Sequence, residues 1–181
     1  MATIQIFNDK DTYYGTAYST DGKPDSETLN MGGWGDYYYS HMEWDLTGSP
    51  SSAVTNSCLI YLFSENDAKN DPAASIRRIT SSWTEVGVTL ASHPTDTSTG
   101  QVSITPNPWT SIQWWNYTVT TMYTDWKDGT YPNYGFKLNP TANGETNGHY
   151  SSSDDVDSGR HPYLFVDYNE VATSGAFFGL M

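Results

Sequence analysis

Ser57-Cys58-Leu59-Ile60-Tyr61-Leu62-Phe63 decides the architecture. The run has the length of a strand, polar neighbours close it, and its Ile, Tyr and Phe suit pleated backbone. Apolar side chains stand at consecutive positions, so both faces are apolar, and the run reads as a central, buried strand. Cys58 is the chain's one cysteine. It reads as a small buried thiol, and it rules out an intramolecular disulfide.

Working outward, the other apolar runs are short and separated by turn residues, the spacing of a sandwich or jelly roll. Met42, Trp44 and Leu46 alternate with Glu43 and Asp45. Val102 and Ile104 alternate more weakly. Trp115, Tyr117 and Val119 share a parity, as do Tyr134, Phe136 and Leu138, and Tyr163 to Tyr168 forms a late strand. One segment changes period: Val119, Met122, Tyr123 and Trp126 stand at helical spacing. Thr118 or Thr120 supplies a cap, and Asp128-Gly129 a stop. Polar loops are expected over 19–28, 64–72, 92–100 and 140–148. The expected fold is therefore all-β, a jelly-roll-type β-sandwich with one short helix. It occupies one domain over 1–168, followed by a tail over 169–181.

Composition narrows the function. The chain has 181 residues, with 8 basic and 21 acidic side chains for a net charge of −13. Phosphate backbones are repelled, so nucleic acid is excluded as a partner. No run approaches the roughly 20 apolar residues of a membrane span. The start, Met1-Ala2-Thr3-Ile4-Gln5, shows no signal peptide. A processed chain fits this, and so does one released by lysis as virion proteins are, which points to an extracellular or virion-surface location.

No spacing signature marks a catalyst. Asp45, Asp125 and Asp128 can be named as carboxylates but nothing selects them, and His41, His93, His149 and His161 are scattered without an elbow or zinc motif. The expectation is a protein that is not an enzyme. Calcium is the one cofactor whose chemistry fits, with Asp9 and Asp11 before an early strand and Asp154, Asp155 and Asp157 in one polar loop. A solvated acidic loop is the plainer alternative.

Aromatic residues are abundant: 7 Trp, 14 Tyr and 6 Phe. In a strand Tyr38 points away from Tyr37 and Tyr39, so the three cannot share one core. Trp34, Tyr37, Tyr39, Trp109 and Trp114 are the candidates for a sugar- or partner-binding surface. Trp44, Trp83 and Trp126 read as core. A polar spacer leads to the apolar tip Phe177, Phe178, Leu180 and Met181, which either folds back or docks on a neighbouring subunit.

Several segments, in order across residues 11–168, resemble the DNRLRE-domain family. They are Asp11-Thr12-Tyr13, Leu29-Asn30-Met31-Gly32-Gly33-Trp34, Met42-Glu43-Trp44-Asp45-Leu46 and Cys58-Leu59-Ile60-Tyr61-Leu62. The most specific is Arg78-Ile79-Thr80-Ser81-Ser82-Trp83-Thr84-Glu85 with Val88-Thr89. Asn133-Tyr134-Gly135-Phe136-Lys137-Leu138 and Arg160-His161-Pro162-Tyr163-Leu164-Phe165-Val166-Asp167-Tyr168 complete the match. The chain departs from the family where Met42-Glu43 replaces an arginine-bearing strand and where Leu90 replaces a tryptophan. The resemblance implies a jelly-roll fold like that of carbohydrate-binding modules on surface proteins, some of which bind acidic polysaccharides. A −13 chain repels such a ligand unless cations cluster, and Arg77, Lys127, Lys137 and Arg160 are the candidates.

Two functions remain open. The first is a non-enzymatic building block or decoration of a virion or extracellular assembly, with self or other structural subunits as partners and the tail as contact. The alternative is a carbohydrate-binding module recognising a cell-surface or matrix polysaccharide.

Overall fold

The computed structural model describes residues 1–16, 22–32, 37–50, 53–65, 74–104, 112–141 and 147–171. The strands are β1 (Ala2–Phe7), β2 (Lys10–Gly15), β3 (Thr28–Gly32), β4 (Tyr38–Glu43), β5 (Val54–Ser64) and β6 (Ala74–Ile79). They continue with β7 (Asp96–Ile104), β8 (Gln113–Thr118), β9 (Phe136–Pro140), β10 (Asn147–Ser151) and β11 (Tyr163–Asn169). Among the described residues the one α-helix, α1 (Thr120–Lys127), joins β8 to β9.

Two antiparallel sheets form the sandwich. Sheet 1 runs β1-β11-β5-β10-β3, with β8 also paired to β5, and sheet 2 runs β2-β4-β9-β6-β7. The expected all-β sandwich with one short helix is what the chain forms. β5 is the hub of sheet 1: its early residues pair with β11 and its later ones with β8.

Alternation explains the core. Cys58, Ile60 and Leu62 on β5 face Ile76 on β6 and Phe136 and Leu138 on β9, all fully buried. Leu164 and Val166 of β11, Met42 of β4 and Trp44 just after it complete the core. Such positions make Leu→Ala or Ile→Ala changes cost about 2–5 kcal/mol. The helix adds Met122, Tyr123 and Trp126 to the same core.

Three sequence expectations change. The helix begins at N-cap Val119 with no side-chain cap bond. Thr120 serves the sheet instead: its Oγ1 accepts the Cys58 N–H at 2.9 Å. Tyr134 does not share a face with Phe136 and Leu138, because Gly135 at φ +83° turns the chain between them. Tyr134 packs instead against the smaller cluster of Tyr14, Ile79, Trp83 and Val88 on the outside of sheet 2. The loop expected over 92–100 is half strand, since β7 starts at Asp96.

Candidate functional site

β5 also departs from the expectation of burial on both faces. Leu59, Tyr61 and Phe63 alternate with the core residues and point to the outer side of sheet 1, where they remain partly exposed. β11 repeats the pattern, with Leu164 and Val166 inward and Tyr163 and Phe165 outward. Strand register brings these rings together: Phe7 of β1 opposes Tyr163, and Tyr163 opposes Tyr61. Tyr61 opposes Asn116 on β8, and Phe63 opposes Trp114. A second row runs Gln5, Phe165, Leu59 and Thr118. The patch therefore spans four strands, roughly 14 Å at the usual inter-strand spacing.

The rings form one packed group. Tyr61 and Tyr163 stack with centroids 4.8 Å apart and planes 4° from parallel. Trp114 stands across them, 5.3 Å from Tyr163 at 66° and 6.4 Å from Tyr61 at 69°. Phe63 meets Trp114 at 5.3 Å and Phe7 meets Tyr163 at 5.7 Å. Among the described residues no ring lies parallel on Trp114. Phe7 is 52% exposed. Gln5, Asn116 and Thr118 border the rings with uncharged donors and acceptors. The charged groups at its edges are Asp167 and Arg160, whose guanidinium lies 5.0 Å over Phe63 and whose Nε bonds Asp157 at 3.1 Å.

The predicted binding residues do not converge on this patch. Trp114 belongs to it. Tyr37 and Tyr39 lie on the outside of sheet 2, stacked on each other at 6.2 Å, with Tyr39 stacked on Tyr14 at 5.2 Å. Tyr38 points the other way, toward Tyr13. Trp34, Trp109 and the tail residues Phe177, Phe178, Leu180 and Met181 lie outside the described residues. Trp44, Trp83 and Trp126 are buried, as read from sequence. Phe7, Tyr61, Phe63, Tyr163 and Phe165 were not anticipated. Their signal was partly present: from Ile60 to Phe63 and from Tyr163 to Val166 the aliphatic residues keep one parity and the aromatic residues the other.

The outside of sheet 2 is more committed to its own packing. Lys137 and Arg77 oppose each other across β9 and β6. Both bind Asp96, at 2.8 and 3.2 Å. Burial opposes ionisation of Asp96, but these two cations prevail and hold its pKa below the usual carboxylate range. The Lys137 side chain is only 6% exposed. The connection over 80–95 covers much of the rest. An open cleft of about 390 Å3 sits there, lined by Trp83, Thr84, Ser92 and His93 among others. The Trp83 indole N–H already donates to Tyr134 O, and Lys10 Nζ sits 4.1 Å over its ring.

The acidic residues are used locally. Asp11 is buried and accepts the Ser153 N–H at 2.7 Å. Asp155 accepts the Asp157 N–H, and Asp157 accepts the Gly159 N–H. Asp9 is exposed. Among the described residues no three His, Cys, Asp or Glu side chains are grouped so as to hold a metal ion, so Asp9, Asp11, Asp154, Asp155 and Asp157 do not form one cage. No described helix is long and apolar enough to cross a membrane.

No curated protein matches the chain. A family model does, over residues 2–168, which is nearly all of the sandwich. Its members are binding modules rather than catalysts by type. The chain belongs to carbohydrate-binding module family 96.

Proposed function

We propose that the chain is a non-catalytic carbohydrate-binding module, working outside the cell, that holds a polysaccharide on the outer face of sheet 1. One observation carries the reading. The row Phe7, Tyr163 and Tyr61, with Trp114 beside it, is a contiguous aromatic surface left partly open to solvent. Sugar rings carry polarised C–H groups on their flat faces, and these pack on aromatic faces that are not, like the facing sides of Tyr61 and Tyr163, already stacked on each other. Hydroxyls around the sugar rim need donors and acceptors, and Gln5, Asn116 and Thr118 stand where they are needed.

The same rings could instead meet a second subunit, which is the assembly reading. Its other carriers, the tail residues, lie outside the described residues, and the family supports the glycan reading. Affinity electrophoresis against a panel of polysaccharides tests the proposal, with native mass measured beside it. Retardation by at least one polysaccharide, lost in Tyr61→Ala/Trp114→Ala with the thermal transition kept, supports it. Retardation unchanged in that variant contradicts it. So does a concentration-dependent oligomer of the full chain that the variant abolishes.

A further inference from the structure

We infer that β1 is a pairing edge for a second copy of this chain, the two β1 strands running antiparallel about a two-fold axis at Gln5 and joining their sheets 1 into one. The phase of the β1–β11 ladder fixes which backbone groups are free to do this. Phe7 lies opposite Tyr163, and the next residue, Asn8, donates its N–H to Pro162 O at 2.9 Å. Hydrogen-bonded residues alternate along an antiparallel pair, so Asn8, Ile6, Ile4 and Ala2 turn their backbone groups toward β11. Thr3, Gln5 and Phe7 turn theirs away from it, and among the described residues no strand lies on that side.

The other strands that end the two sheets are occupied or blunted. On β2 the Asp11 N–H donates to Glu85 Oε1 at 2.8 Å, and Tyr13 O accepts the Lys23 N–H at 2.9 Å. On β3 Asn30 O accepts the Ser40 hydroxyl at 2.7 Å. β7 has an irregular register against β6 and carries Gly100 at φ +72°. Bulges, charges and covering groups of this kind keep edges from pairing. β1 has none of them: Ala2-Thr3-Ile4-Gln5-Ile6-Phe7 is free of charge, proline and glycine in a chain of net charge −13, and its register is unbroken.

Symmetry selects the occupant. Thr3, Gln5 and Phe7 are centred on Gln5, so pairing about that residue sets Gln5 opposite Gln5 and Thr3 opposite Phe7 of the second copy. Every outward N–H and C=O of the three then meets a partner. A slip of one residue would set outer-face side chains against core-face ones. A slip of two would leave Phe7 or Thr3 opposite a residue beyond the strand. In the centred register Ile4 meets Ile6, and the exposed side chains of Thr3, Gln5 and Phe7 stay on the outer face. The row Tyr61, Tyr163 and Phe7 then continues onto Thr3 of the second copy.

Sedimentation velocity of the full chain from micromolar to millimolar concentration tests this. The expected result is a concentration-dependent dimer, strengthened by salt because two chains of like charge repel. Thr3→Pro removes an outward N–H without touching the β11 ladder, and should raise the dimer dissociation constant about tenfold or more with the thermal transition of the monomer kept. Gln5→Cys should oxidise to a covalent dimer, since paired Cα atoms at the axis lie about 5.5 Å apart. Val156→Cys, 86% exposed and far from β1 in sequence, should not. A monomer at every concentration, a dimer unchanged in Thr3→Pro, or equal crosslinking of the two cysteine variants overturns the inference and leaves the glycan reading standing. A dimer lost in Tyr61→Ala/Trp114→Ala places the contact on the aromatic face and overturns both.

Discussion

Tyr61 and Tyr163 stack across β5 and β11 on the solvent side of sheet 1, 4.8 Å apart and 4° from parallel. Their neighbours Ile60 and Leu164, also register partners, meet on the core side with no exposure. The same pair of strands thus separates stability from binding by parity. Tyr61→Ala is expected to lower glycan affinity about 30-fold, near 2 kcal/mol for a central aromatic anchor. Its stability cost is about 1–2 kcal/mol, from partial burial and one stacking partner. Ile60→Ala should cost about 2–5 kcal/mol of stability and leave affinity unchanged wherever the variant is folded. Urea unfolding and binding isotherms on both variants check the separation.

Arg78 is a cation on the inner side of sheet 2. Its guanidinium binds Asp125 of α1 at 2.9 Å and lies 3.6 Å over the Tyr131 ring. Removing Asp125 leaves a nearly buried charge without its counter-ion, which costs about 3–5 kcal/mol for a fully buried pair. Asp125 is 27% exposed, so Asp125→Ala is expected at the lower end of that range or just below it. Chemical denaturation measures it. Arg78→Met/Asp125→Ala should recover part of the loss, because no charge is then left alone.

Two buried groups give opposite pH slopes. Burial first, then the Lys137 charge, pushes His41 down from its ordinary 6.5 to about 3. The unfolded chain takes a proton below about 6.5 that the fold refuses, so His41 makes stability fall as pH drops through that window. Burial outweighs the lowering effect of the Ser153 hydrogen bonds and, with smaller repulsion from Asp154 and Glu85, pushes Asp11 up from 3.8 to about 7. The fold then keeps a proton that the unfolded chain loses, so stability falls as pH rises from about 4 to 7. In the shared window the two offset. His41→Leu should expose the downward slope with rising pH, and Asp11→Asn the upward one, each about 1 kcal/mol per pH unit. Thermal melts across that range read both signs.

Gly135 sits at φ +83°, and a Cβ there would overlap the Met42 carbonyl oxygen on β4. Gly135→Ala combines left-handed strain of about 1–2 kcal/mol with a backbone clash. The expected loss exceeds 2 kcal/mol in urea. Gly100→Ala, at φ +72° but in open space, should lose only the strain.

Much of the fold was legible because alternation and helical spacing are local signals. Trp44, Cys58, Met122 and Trp126 fell in the core where their periods put them. The Tyr37–Tyr39 parity also held. The binding face was harder to read. An apolar run on both parities signals either burial on two sides or one core side and one sticky side, and Cys58 to Phe63 is the second case. Separating them needs register, since Phe7, Tyr163, Tyr61 and Trp114 come from four strands spread over the chain. Pairing of cations was equally invisible: Lys137 and Asp96 are 41 positions apart. Tyr134 was misplaced by one glycine, whose positive φ no periodicity count registers.

The most direct measurement follows the indole N–H signals of the seven tryptophans by NMR while the polysaccharide that retards the protein in affinity electrophoresis is added. The account predicts a saturable shift at Trp114, on the outer face of sheet 1, with the buried Trp44 and Trp126 unmoved. A saturable shift at Trp83 with Trp114 silent would contradict it and place the site on sheet 2.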